Sequence, residues 1–261
     1  MKVEFLTQDD PLYILPFFEE FFRAYSSEFE ITQVSVCPVM GKRPRIQLLR
    51  ELTCLYGPTG FLRILCRLAA ARVLGLLPRK PGARRFDTLA QICRAYGLPL
   101  RHIGDPNGAE FIAELRKRAP DVVVSVACPF ILKEAFLAIP PRGCINIHHA
   151  TLPRYKGMMP TFWQMFSGER AVGVTVHYMA ARVDEGSALL QEELEMKQGE
   201  SLDQVIRRSK RHGAHCMARV LWQVAAGTQQ IISLDDANAS YFTFPTLEQI
   251  REFHRRGFRA V

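Results

Sequence analysis

The chain has 261 residues, 48% hydrophobic and 23% charged, with Lys plus Arg exceeding Asp plus Glu by 34 to 26. This balance excludes disordered and fibrous classes and fits one large domain, or one domain with a small appendage, around a real core. The net charge of +8 either favours an anionic partner, such as a nucleotide, a phosphate ester or RNA, or serves solubility alone.

Residues 2–7 are expected to form a first strand. Residues 11–25 carry Leu12, Leu15, Phe18 and Phe22 at helical spacing, with Pro16 kinking that helix or delaying its start. MKVEFLTQDD reaches acidic residues too soon for a secretory signal, so the chain is expected to be cytoplasmic. Residues 31–37 are a second, β-branched strand.

Residues 46–77 then interrupt the alternation with a Leu-, Arg- and Ala-rich helical segment broken at 57–60. A membrane span would take about 20 mainly apolar residues, and Arg63, Arg67 and Arg72 make that costly. Arg72 falls opposite Arg63, leaving no clean polar face for an interfacial helix, so packing against the sheet or a second subunit is preferred.

Strand and helix resume with a strand at 100–103, a helix at 107–118 capped by Asp105 or Asn107, and an apolar strand at 121–127 suited to burial on both faces. Strands at 172–179 and 188–194, a long helix at 201–226 opened by a Ser/Asp cap, and a last helix at 246–254 complete the pattern. The fold class is therefore α/β, a doubly wound, mostly parallel sheet.

No glycine-rich phosphate loop, repeat or low-complexity tract is present. The seven cysteines (Cys37, Cys54, Cys66, Cys93, Cys128, Cys144 and Cys216) are scattered, odd in number and free of C-x-x-C pairs. They read as buried small hydrophobes rather than a disulfide framework or a zinc site. Basic residues cluster at 42–50, 79–85, 207–211 and 251–259.

The passage that suggests chemistry is CINIHHATLPRYKG, residues 144–157, where a short strand runs into a Pro-containing loop. Asn146 and His148 are two apart on that strand and share a face, setting an amide donor beside an imidazole. Such a pair can stabilise the oxyanion that develops when an amine attacks an acyl carbon, and Asp184, in the turn VDEG, can raise imidazole basicity and relay the proton. Each residue also has a structural reading: Asn146 as a turn cap, His148 as a core histidine, Asp184 as a loop carboxylate. Trp163 and Phe166 read as core.

NIHHATLPRYKGMMPTFWQM and GVTVHYMAARVDEGSALLQEE resemble the signatures of the 10-formyltetrahydrofolate-dependent formyltransferase family: Asn-x-His, a Ser-Leu-Leu-Pro-like tetrapeptide, an aromatic and Gly, then a Gly-Val-Thr strand and a Leu-Asp-x-Gly turn. The resemblance extends upstream through DVVVSVACPFILKEAFLAIP and implies a Rossmann-like formyltransferase fold. It implies a catalytic trio of Asn146, His148 and Asp184, the Asp 38 residues after the Asn as in the family, with no metal. It further implies that Pro129, Phe130, Ile131 and Leu132 line a pterin pocket, and that Ala150, Thr151, Leu152 and Pro153 sit against the folate. Ala150 departs from the family's Ser, and Ser187 stands where many relatives carry a second Asp. His149 and His177 match no catalytic position and are taken as structural or acceptor-side residues.

The expected organisation is a catalytic domain at 1–230 with a helical insertion at about 46–83, followed by a short C-terminal extension at 231–261 that covers the site or pairs subunits as a homodimer. The resemblance implies 10-formyltetrahydrofolate as formyl donor and an amine acceptor. LPRYKG and MMPTFWQ are closer to the tRNA and sugar branches than to the purine branch. The roughly 35 residues after the long helix are too few for the β-barrel of a tRNA enzyme. A small, anionic, phosphorylated or nucleotide-linked acceptor is thus the first expectation. Aminoacyl-tRNA and a catalytically silent folate-binding homologue are the alternatives.

Overall fold

The computed structural model describes residues 1–38, 45–180 and 182–261; residues 42–44 of the basic cluster at 42–50 lie outside these. In chain order the elements are β1 (Lys2–Gln8), α1 (Leu15–Tyr25), β2 (Glu30–Cys37), α2 (Arg45–Leu74), α3 (Leu89–Tyr96), β3 (Leu100–His102), α4 (Ala109–Arg118), β4 (Val122–Val126), α5 (Glu134–Leu137), β5 (Cys144–His148), β6 (Lys156–Gly157), α6 (Pro160–Phe166), β7 (Ala171–Tyr178), β8 (Ala188–Glu195), α7 (Leu202–Ala226), β9 (Tyr241–Phe242) and α8 (Leu247–Arg255).

Seven strands form one sheet in the order β3-β2-β1-β4-β5-β7-β8. The strands from β3 to β5 are parallel, and β7 and β8 add antiparallel pairings. The all-buried VVVSV of β4 reflects cover on both faces, as its apolar run demands.

The two faces differ, and that difference locates the site. One face presents Val3, Phe5, Val124, Ile145, Ile147, Val174 and Val176 to a core shared with α1, α3 and α7. Here Phe5 packs edge-on against Phe17, Phe18, Phe21 and Phe22 of α1, with ring centroids 5.1 to 6.4 Å apart. Because side chains alternate along a strand, the opposite face carries Leu6, Val123 and Cys144, packed on Phe111 and Phe136 of α4 and α5. From β4 onward that face turns polar, with Ser125, Asn146, His148, Thr175 and His177.

Some element starts and caps differ from expectation, while the delay of α1 by Pro16 and the Ser cap of α7 stand. The first helix begins at Leu15 because Pro16 occupies its first turn, where a missing N–H costs nothing. α4 starts at Ala109 with Gly108 as its N-cap; Asp105 instead accepts from the Asn107 N–H at 2.9 Å, closing a turn ahead of the helix. The Ser201 cap of α7 is a capping box with Gln204. In β7 the polar alternate positions are buried too, Thr175 at 0% and His177 at 2% exposure, so its period marks the site rather than solvent.

The 46–77 segment is α2, broken at Gly57, whose φ of 67° lies in the left-handed region. Within the chain it packs on α7 and α8: His254 of α8 bonds the carbonyls of Cys54 and Leu55 at 3.2 and 3.0 Å, and Arg67 pairs with Asp203 of α7 at 3.2 Å. Leu55 joins a third core with Phe162, Trp163 and Phe253. The 231–261 segment is bound into the same core, Phe253 stacking on Phe162 at 4.7 Å and Phe242 on Trp163 at 4.6 Å, while β9 pairs with β6. Among the described residues no helix is long and apolar enough to cross a membrane.

Candidate active site

Strand register assembles the site. Ser125 of β4 lies beside Asn146 of β5, and Asn146 beside His177 of β7, a row of three polar side chains across adjacent strands on one sheet face. The turn after β7 brings Asp184 to this row. Gly186 makes that turn possible: a Cβ there would stand 1.6 Å from the Tyr178 carbonyl oxygen, and Asp184 itself has a left-handed φ of 54°. The loop after β5 supplies the Gly157 N–H, which donates to Asp184 Oδ2 at 3.0 Å.

Asp184 stands between two imidazoles. His148 Nδ1 is 3.4 Å from Oδ2, and His177 Nε2 is 3.6 Å from Oδ1. His177 Nδ1 donates to the Tyr178 carbonyl at 2.7 Å, leaving Nε2 of the neutral ring to accept from the Asn146 amide at 3.1 Å. His148 Nε2 donates to the Tyr155 carbonyl at 2.8 Å.

Burial pushes the Asp184 carboxyl up, but the His148 and His177 rings and the Gly157 N–H outweigh it and hold the group at about 2. Burial pulls His148 below its ordinary value, against the pull of the Asp184 carboxylate and the Tyr155 carbonyl. The Gly157 N–H fixed on Oδ2 favours the ionised carboxylate.

A cleft of about 370 Å³ opens onto Ser125, Asn146, His177 and Asp184. Pro129, Phe130, Ile131 and Leu132 form one wall, Met158 and Tyr241 another. His148 is not among the residues lining the cleft; it is 7% exposed and meets Asp184 at 3.4 Å. Ala150, Thr151, Leu152 and Pro153 do not line it either. Ala150 and Leu152 are buried against β7, where Thr175 Oγ1 donates to the Ala150 carbonyl at 2.6 Å and accepts from the Leu152 N–H at 3.2 Å.

His177, expected to be structural or acceptor-side, lines the cleft, its place opposite Asn146 following from the pairing of β5 with β7. One cleft residue, Ser125, escaped the sequence reading. Ser125 lies within an apolar run, and its buried Oγ has no hydrogen-bond partner among the described residues, leaving it free for a ligand. His149 points to the other face, against Gly213 of α7, as strand alternation requires.

Apart from the cleft, Glu192, His212 and Cys216 bring ligand atoms within 4.8 Å of one another. Contacts within the protein already engage them, Glu192 meeting His212 at 2.8 Å and Arg219 and accepting from the Cys216 thiol at 3.6 Å.

Residues 83–221, just over half of the chain, match the family described as formyl transferase. The methionyl-tRNA formyltransferase of Moorella thermoacetica is 35% identical over 147 residues, 56% of this chain and 47% of that protein. The chain spans about half the length of the curated relatives it matches. In fold it is similar to the phosphoribosylglycinamide formyltransferase of Anaplasma phagocytophilum, with a TM-score of 0.60 and 20% identity over 90% of this chain and 96% of that one. It is also similar to an N-formyltransferase of Helicobacter canadensis in complex with folinic acid and dTDP-3-aminofucose, with a TM-score of 0.56 and 14% identity over 93% and 70% of the two chains.

Proposed function

Because this chain belongs to the formyl transferase family, we propose that it moves a formyl group from 10-formyltetrahydrofolate to an amine. The observation that carries the reading is the approach of Asn146 and Asp184 to one cleft, joined through His177 at 3.1 and 3.6 Å.

The wall Pro129–Leu132 is the counterpart of the family's pterin pocket, and the unpartnered Ser125 Oγ offers a hydrogen bond at its floor. The folate supplies the formyl carbon and leaves as tetrahydrofolate when the C–N10 bond breaks, N10 taking the proton given up by the amine; this chain supplies a donor for the oxygen on which charge develops and an acceptor that relays that proton. Asn146 has two amide N–H groups, one held by His177 and one left for that oxygen.

The proton acceptor is the His177–Asp184 pair rather than Asp184 alone. A carboxylate held at about 2 lies far below neutral pH, and protonating it there costs roughly 7 kcal/mol at about 1.4 kcal/mol per unit. Its charge instead stabilises an imidazolium. An Asn146 amide that turns to the formyl oxygen releases the Nε2 lone pair of His177 for the proton. His148, which is not among the lining residues, acts as a positioning residue: protonated, it holds the Tyr155 carbonyl through Nε2 and Asp184 through Nδ1.

The names of the curated relatives favour the amine of methionyl-tRNA as acceptor over the small nucleotide-linked amine expected from chain length. In this reading residues 1–230 carry the chemistry, with the insertion at about 46–83, and the extension 231–261 covers the cleft through Tyr241.

The test incubates the full chain with 10-formyltetrahydrofolate and either methionyl-tRNA or nucleotide-linked amino sugars, following tetrahydrofolate release and formyl label on the acceptor. Methionyl-tRNA-dependent release that is lost in Asp184→Asn supports the reading. Release with amino sugars alone moves the acceptor to the second class. Folate binding without release leaves a silent binding homologue, and absence of folate binding overturns the proposal.

A further inference from the structure

The wall of the cleft carries a pair of thiols that the transfer chemistry does not use. Cys37 ends β2 and Cys128 opens the loop after β4, 91 residues apart in sequence, yet their Sγ atoms lie 3.9 Å apart. β1 lies between the two strands in the sheet, so the sulfurs meet where the chain continues past it. Cys37 is buried at 2% exposure; Cys128 is half-buried and lines the cleft immediately before Pro129.

We infer that Cys37 and Cys128 are a redox-convertible pair, in which a peroxide reaching the cleft oxidises Cys128 and Cys37 then closes a disulfide. The contact between the two sulfurs is also what separates their acidities. It pushes the Cys37 thiol up, with burial adding, and pulls the Cys128 thiol down, so Cys128 is the first to become a thiolate.

In the first step the Cys128 thiolate attacks one peroxide oxygen, the O–O bond breaks, and the departing hydroxide takes a proton to become water. Cys128 is left as a sulfenic acid. In the second step Cys37 attacks that sulfur and expels hydroxide, which takes the Cys37 proton as a second water. Two thiols and one hydrogen peroxide thus give one disulfide and two waters, the sulfurs losing two electrons and the peroxide gaining them. Closing from 3.9 Å to a bond of about 2 Å needs an approach of roughly 2 Å by Cys128 toward the end of β2.

Bond formation would draw Cys128, and with it the Pro129–Leu132 wall, toward the end of β2 and reshape the cleft. This consequence rests on the folate reading; the disulfide itself does not.

The experiment treats the reduced full chain with stoichiometric hydrogen peroxide and reads intact mass and non-reduced peptides. A loss of about 2 Da, one Cys37–Cys128 cross-linked peptide and restoration by dithiothreitol are expected. In Cys37→Ala, Cys128 should instead gain about 16 Da as a sulfenic acid, or about 138 Da as its dimedone adduct, with no cross-link. Unchanged mass, cross-links among other cysteines, or over-oxidation of Cys128 while Cys37 stays a thiol would overturn the pair. Affinity for a folate analogue should be lower in the oxidised than in the reduced form, and equal affinity removes the consequence for the cleft. Absence of folate binding in both forms counts against the folate reading alone, since the cross-link is read by mass.

Discussion

The side chains of Asn146 and His177 meet at 3.1 Å across the antiparallel pairing of β5 with β7. If His177 holds the transferred proton, His177→Ala should lower kcat by roughly 10²–10⁴ and leave KM for the folate nearly unchanged. Steady-state kinetics beside a thermal melt checks this, because a structural role would move the melt and spare kcat.

Asp184→Asn keeps the shape of the side chain but loses the charge that steadies His177. Turnover should fall by a similar roughly 10²–10⁴. His148→Ala should fall less if it acts only through Asp184, and an equal loss would show that His148 reaches the reacting atoms.

The same carboxylate contributes to stability in a definite pH window. Its folded value of about 2 lies below the ordinary 3.8, so its contribution is full above about 4 and is lost as pH falls through about 2, amounting to ~2 kcal/mol. Urea unfolding of the wild type against Asp184→Asn should show a gap at about pH 5 that closes toward pH 2. A gap independent of pH contradicts the linkage.

Glu4, 1% exposed, receives Arg118 Nε and Nη2 at 2.8 and 2.9 Å and the Ser35 hydroxyl at 2.9 Å. Arg118→Met strands a buried carboxylate and should cost ~3–5 kcal/mol, of which Glu4→Gln in the same chain restores part. Chemical denaturation of the two single variants and the double variant measures the coupling.

Gly186→Ala should cost at least ~1–3 kcal/mol and abolish turnover with it. The added carbon meets the Tyr178 carbonyl oxygen at 1.6 Å, so the turn holding Asp184 must move. Gly104→Ala, with nothing within 4 Å of the new carbon, should stay within about 0.5 kcal/mol. Paired melts and activity assays distinguish them.

Local pattern sufficed for the individual elements. The apolar run of β4, the caps of α7 and α8 and the break at Gly57 are statements about neighbouring residues, and they stand in the structure as their sequences imply. Strand alternation alone puts Asn146 and His148 on one face, whereas Asp184 was joined to them only through the family resemblance. Pairing between distant segments was not legible. Only the antiparallel register of β5 with β7 put His177 against Asn146, and only the fold of the loop after β7 brought Asp184 within 3.4 Å of His148. The turn of Ala150–Pro153 onto Thr175 and the joining of α2 with the tail into one core likewise depend on contacts between segments far apart in sequence. Periodicity reports which side of an element is buried; which partner buries it is decided by packing and backbone hydrogen bonds across the whole chain.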